Sequence, residues 1–166
     1  RRDVRADRGI DVELPVARPV QCVLCSCALT GRRRSGPLAR AEVAGALFGG
    51  RIAVAGGFLA DGSNSARVDL YDPVRRSWTR LPNLPLAVNH PMAAAGGGRL
   101  YVLGGYANRE PQRAVFVLDR GNWRRLPALP QARAAGGAAF AGGKIYVVGG
   151  VGPSRTPAEV AFVYNP

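Results

Sequence analysis

Short apolar runs recur along the chain, separated by glycine, proline and polar residues. Three of these runs are almost the same phrase: "RIAVAGG" (51–57), "RLYVLGG" (99–105) and "KIYVVGG" (144–150). The phrases begin 48 and then 45 residues apart. A period of this length is typical of stacked supersecondary units. We interpret each phrase as one buried strand of a repeating unit, with a cationic residue at the start of the strand.

A common context surrounds each phrase and completes a unit of four strands. A run of small residues precedes it and ends in glycines, which supply the positive φ of a tight hairpin. A polar loop follows, then a third strand such as "VDLYDP" (68–73) and a fourth such as "WTRLP" (78–82). A meander of this kind is apolar on both faces, so it needs a neighbouring sheet on either side. Its repetition around an axis predicts an all-β protein, a β-propeller.

The order of double glycine, tyrosine and tryptophan within a unit resembles the kelch repeat. The resemblance implies an incomplete kelch-type β-propeller of about three four-stranded antiparallel blades, at about 38–82, 88–127 and 132–166, the last lacking its outer strand. Leu118 departs from the pattern by replacing an aromatic residue, and the third unit stops at Pro166 before a tryptophan strand. The residues that carry the repeat signature are Gly56, Gly57, Tyr71, Trp78, Gly104, Gly105, Trp123, Gly149, Gly150 and Tyr164.

Residues 1–36 precede the repeats and are interpreted as a basic, disordered leader or as a degenerate repeat. Three cysteines lie here, Cys22, Cys25 and Cys27. Their spacing is a poor match to a four-ligand metal site, and a lipoprotein signal ending at Cys27 or free thiols are the other interpretations. The chain begins with Arg1, and export or the cell envelope is favoured weakly over the cytoplasm as its localisation.

The net charge of +12 is large, but it adds little to the functional interpretation. It makes nucleic acid a partner to consider, but the arginines are spread along the chain and Arg32–Arg34 is their one block. Aromatic residues do not alternate with them as a base-stacking platform requires. Lys144 is the single lysine. Such a preference for arginine over lysine is typical of a GC-rich genome. Nucleic acid is therefore an unlikely partner, and no apolar run is long enough to span a bilayer.

Residues that could carry catalysis are scarce. His90 is the single histidine, so neither a catalytic pair nor the copper site of the similar galactose oxidase scaffold, with its two histidines and two tyrosines, is available. The triple glycine at 96–98 is a hairpin turn, because no Lys-Ser/Thr pair or helix follows it. We expect no catalytic residues, no cofactor and no metal in this chain.

Binding residues are expected in the loops between the second and third strands of each unit. These loops are long and variable, and variable loops on a rigid scaffold commonly bind partners. The connection "VNHP" (88–91) lies at the same end of the meander. The candidate binding face consists of Asn64, Asn89, His90, Asn108, Arg109, Arg113 and Arg155.

We interpret the chain as a binding or interaction module, a kelch-type part of an exported bacterial protein that recognises a protein or glycan. The alternative is a fragment of a kelch-type carbohydrate-active enzyme, similar to galactose oxidase or to sialic acid epimerases, with its catalytic residues outside this chain. Three blades cannot close a ring, so the partners include missing blades or a second copy of the chain.

Overall fold

A computed structural model describes residues 36–166. The predicted leader, except for Gly36, and the three cysteines lie outside the described residues. Every regular element in the described part is a β-strand. The first sheet follows chain order, with β1 (Ala44–Phe48), β2 (Arg51–Ala55), β3 (Val68–Asp72) and β4 (Ser77–Leu81) as antiparallel neighbours.

The second sheet repeats this order. It contains β5 (Met92–Gly96), β6 (Arg99–Leu103), β9 (Val115–Asp119) and β10 (Asn122–Leu126). A two-stranded hairpin, β7 (Tyr106–Ala107) and β8 (Glu110–Pro111), extends from the connection between β6 and β9. This small hairpin has no counterpart strand pair in the other two sheets of the described chain.

The third sheet has three strands in the described residues. They are β11 (Gly137–Ala141), β12 (Lys144–Val148) and β13 (Phe162–Tyr164), again in chain order and antiparallel. The predicted all-β architecture of antiparallel four-stranded units, with the last unit lacking its outer strand, is confirmed. The glycine pairs between first and second strands adopt positive φ, as the hairpin prediction requires.

The core lies between adjacent sheets because successive side chains of a strand point to opposite faces. Ala53 of β2 packs in one cluster with Leu100 and Val102 of β6. The alternate residue Tyr101 packs in a second cluster with Ile145 of β12. The middle sheet is thus buried on both faces, which explains the apolar phrases of the sequence.

The double glycines lie where the backbone of the next sheet comes close. The N–H of Gly57 donates to the carbonyl of Val88 at 2.8 Å, and that of Gly105 donates to the carbonyl of Arg133 at 2.9 Å. A Cβ added at Gly105 would lie 2.7 Å from the carbonyl oxygen of Asn89. Backbone atoms therefore approach these glycines more closely than a side chain would allow.

Hydrogen bonds from aromatic side chains link the second sheet to the first and the third sheet to the second. Trp123 Nε1 donates to the carbonyl of Pro82 at 2.8 Å, and the Tyr164 hydroxyl donates to the carbonyl of Pro127 at 2.7 Å. Trp78 packs on Tyr71, but its buried Nε1 has no acceptor among the described residues. The two tryptophans lie in fourth strands at the same register and are partly buried, and Trp123 packs against the cluster between the first and second sheets.

Candidate functional site

A groove of about 910 Å³ opens at the loop end of the first and second sheets. Its walls come from the β2–β3 loop, the β4–β5 connection, the β7–β8 hairpin and one residue of the β12–β13 loop. The size lies within the range of small-molecule and peptide side-chain sites in proteins. The groove is therefore large enough to accept a ligand without rearrangement of the strands.

The structure brings six of the seven predicted binding residues to this groove. They are Asn64, Asn89, His90, Asn108, Arg109 and Arg155. The seventh, Arg113, does not line it: its Nε donates to the carbonyl of Leu129 at 2.7 Å and ties the connection after β10 to the sheet. Arg113 therefore has a structural contact where the sequence suggested a ligand contact.

A chain of side-chain contacts fixes the floor of the groove. Asn89 Nδ2 donates to Asn64 Oδ1 at 2.6 Å, and Asn64 Nδ2 donates to the carbonyl of Tyr106 at 3.1 Å. His90 Nδ1 lies 2.6 Å from Asn89 Oδ1. Because each amide is held by its neighbour, these polar groups are oriented before any ligand arrives, which lowers the entropic cost of binding.

His90 occupies a position set by the repeat itself. Its φ is +48°, and Glu42 and Ala135 have similar values of +53° and +56° at the equivalent places before β1 and β11. The His90 N–H donates to the carbonyl of Glu42, and the Ala135 N–H donates to the carbonyl of His90, both at 2.9 Å. His90 Nε2 also lies 3.2 Å from Glu42 Oε2. The imidazole is thus held from two sides at the junction of the sheets.

Two aromatic rings that sequence reasoning missed form walls of the groove. Phe58 and Tyr106 each contact His90 edge to face, with ring centroids 6.0 Å and 5.7 Å apart. Each ring directly follows a double glycine, at Gly57 and Gly105. That shared place in the repeat was the available signal, since the residue after the glycines begins the loop.

The cationic rim of the groove contains two arginines with different surroundings. Arg155 donates to Glu110 Oε1 at 2.6 Å and to the carbonyl of Arg109 at 2.9 Å. Arg109 has no carboxylate within 4.0 Å in the described part of the chain. No Asp or Glu lines the groove there. As far as residues 36–166 show, the site therefore offers one unpaired cation, Arg109, beside amides and aromatic rings.

Within residues 36–166, no group of three or more His, Cys, Asp or Glu side chains is arranged to hold a metal ion. The three cysteines lie outside this range, so the interpretation of a metal or thiol site there stays a prediction. Among the described residues, no helix has the length and hydropathy needed to cross a membrane.

Repeated antiparallel sheets with a loop-built groove define a repeat protein of the propeller class. The sequence model of the Kelch motif matches residues 39–85 and 93–130, together just over half of the chain. The chain belongs to the kelch-repeat family. The matched segments cover the first two sheets.

Two relatives carry the same repeat in much longer proteins. The chain is 39% identical over 70 residues to the Kelch-like protein terF of Aspergillus terreus, an alignment that covers 40% of this chain and 15% of that protein. It is 35% identical over 71 residues to an F-box/kelch-repeat protein of Arabidopsis thaliana, covering 43% of this chain and 19% of that protein. The matched part of the chain thus spans less than a fifth of either relative.

Proposed function

We propose that the chain binds a protein partner through the groove between its first and second sheets. The observation that carries the proposal is the convergence of Asn64, Asn89, His90, Asn108, Arg109 and Arg155 on one groove from four separate connections. Fixed amides and an unpaired arginine provide specificity, and the rings provide apolar contact area. Kelch repeats suggest a protein-interaction module, and this groove is where the described chain offers such a surface.

A glycan is the second candidate ligand. The rings of Phe58 and Tyr106 lie beside the amides of Asn64 and Asn108, a combination that suits the apolar faces and hydroxyl groups of a sugar. The hypothesis of a carbohydrate-active enzyme fragment draws no support from the groove, which offers one imidazole and no carboxylate among the described residues. The bacterial and exported origin stays a prediction.

Arrays of immobilised peptides and of immobilised glycans, probed with the labelled chain, test the proposal. We expect peptide ligands. We expect Arg109→Glu to weaken peptide binding by at least about tenfold, because it reverses the charge that is unpaired among the described residues of the groove. Arg76→Glu is the matched control. Arg76 is exposed in the β3–β4 turn, at the other end of the sheet, and also has positive φ.

Equal weakening by the two variants would show a non-specific charge effect and reject the groove as the binding site. Binding to glycans alone, with the same sensitivity to Arg109→Glu, would replace the protein partner by a sugar. Binding that is unaffected by Arg109→Glu would place the recognition surface elsewhere in the chain.

The outward faces of the first and third sheets provide a second kind of contact. Leu47 and Ile52 are exposed on the first sheet, and Tyr146, Val148 and Val163 on the third. Their equivalents on the middle sheet are buried between blades, so these faces fit a further sheet of the same kind. We expect the 166-residue chain to self-associate at high concentration. Size-exclusion chromatography with light scattering measures this, and a monodisperse monomer would contradict it.

A further inference from the structure

Arg133 is a buried cation that has no carboxylate partner among residues 36–166. Its side chain is fully buried, and Nη1 donates to the carbonyls of Gly149 at 2.8 Å and Val160 at 3.1 Å. The guanidinium carbon lies 5.1 Å from the centre of the Phe162 ring. Among the described residues, no carboxylate oxygen lies within 4.0 Å of a nitrogen of the Arg133 side chain. Dipoles and a ring face thus surround a full positive charge, an arrangement that attracts an anion.

The first sheet shows what a complete version of this arrangement contains. Arg40 is the counterpart of Arg133, since the next residue of each forms the same bridge to the loop after the double glycine. Arg40 Nη1 donates to the carbonyls of Gly56 and Arg67, at 3.0 Å and 2.7 Å. Its Nη2 donates to Asp69 Oδ2 at 2.6 Å, and both side chains are buried. Here the buried cation has its anion within the sheet.

The register identifies what replaces that anion in the other sheets. Asp69 pairs with the fourth residue of β2, and Phe116 and Phe162 occupy the same place opposite β6 and β12. In the second sheet the arginine is also absent, because Val88 stands at its position. In the third sheet the arginine is kept while the carboxylate is not. The third sheet alone therefore has the charge without its counterion among the described residues.

A small pocket of about 140 Å³ lies at Arg133. Ser154, Thr156 and Gln131 are among the residues that line it, and their side chains carry hydrogen-bond donors. The volume equals the share of about four or five water molecules, which suits a small oxyanion and is too small for a larger ligand. Glu159 also lines the pocket, but it is exposed and makes no ion pair with Arg133.

We propose that this pocket binds a small oxyanion, a phosphate or a carboxylate, which serves as the counterion of Arg133, as Asp69 does for Arg40 in the first sheet. Arg133 supplies the charge, and Ser154 and Thr156 supply hydroxyl donors. The site lies between the β10–β11 connection and the β12–β13 loop and uses different residues from the groove, so its test is independent of the proposed protein partner.

Isothermal titration calorimetry of the 166-residue chain with inorganic phosphate tests the proposal. A parallel series uses acetate, and chloride keeps the ionic strength constant, because screening by salt alone changes the apparent affinity for an anion. We expect saturable binding of one phosphate per chain. Acetate binding of similar strength would identify a carboxylate as the ligand, and a strong preference for phosphate would identify a phosphate group.

Phe162→Asp is the decisive variant, because it places a carboxylate where Asp69 stands in the first sheet. We expect it to weaken phosphate binding at least about tenfold. Glu159→Gln removes a negative charge from the pocket wall and is expected to strengthen binding about two- to fivefold. Arg120→Gln, an exposed arginine in the β9–β10 turn, is the control and is expected to leave phosphate binding unchanged.

Circular dichroism establishes that each variant is folded. If Phe162→Asp does not fold, Glu159→Gln still tests the proposal, because Glu159 is exposed. The proposal is overturned if neither anion produces saturable heat, or if the folded variants bind phosphate as the wild type does. It is also overturned if Glu159→Gln lowers stability without strengthening phosphate binding, because Glu159 would then be the counterion of Arg133.

Discussion

Gly105→Ala is expected to lower the free energy of unfolding by about 3 kcal/mol. Gly105 has a φ of +89°, a region that L side chains rarely adopt. The added Cβ would also lie 2.7 Å from the carbonyl oxygen of Asn89 and 3.0 Å from the Cα of Pro91. Both neighbours are backbone atoms of the connection that enters the second sheet, so relief of the overlap requires that connection to move.

Gly121→Ala separates the two causes. Gly121 has a similar φ of +83°, but nothing lies within 4 Å of an added Cβ in the described structure. Gly121→Ala is expected to lower the free energy of unfolding by about 1 kcal/mol, which is the contribution of backbone strain. Urea unfolding of the two variants measures the difference. Equal losses would show that the overlap with the β4–β5 connection at Gly105 adds nothing to the loss of stability.

Trp123→Ala is expected to lower the free energy of unfolding by about 3 kcal/mol. The indole packs against the cluster between the first and second sheets, and its Nε1 holds the carbonyl of Pro82. The substitution therefore removes both apolar contact area and a hydrogen bond between sheets. Thermal and urea unfolding measure the loss, and a change below about 1 kcal/mol would reject this packing role.

A pair of phenylalanine variants isolates the hydrogen bond. Trp123→Phe is expected to lose about 1 kcal/mol more than Trp78→Phe, because Trp78 Nε1 is buried without an acceptor among the described residues. Removing an unpaired buried donor is close to neutral, whereas removing a paired one leaves the carbonyl of Pro82 without its partner. Equal losses would indicate that the bond between the sheets contributes nothing to stability.

The sequence by itself determined the repeat, its strands and its turns. These features are local: an apolar run of five residues forms a strand, glycine pairs permit hairpins, and Asp-Pro or Leu-Pro ends a strand. The period of the phrase then specified sheets that stack, since each unit is apolar on both faces. The loop end of the sheets is predictable in the same way, which is why the sequence predicts Asn64 and Asn108 as loop residues of the binding face.

Only the tertiary structure decided which loop residues share a site and which buried charges are paired. The register brought six predicted residues to one groove and turned Arg113 toward the carbonyl of Leu129. Arg40 and Arg133 occupy the same position of the repeat. Arg40 forms an ion pair with Asp69, whereas Arg133 lies over the ring of Phe162. The physical reason is that a contact between side chains far apart in the chain depends on strand register and sheet stacking, whereas a turn or a strand depends on its own few residues.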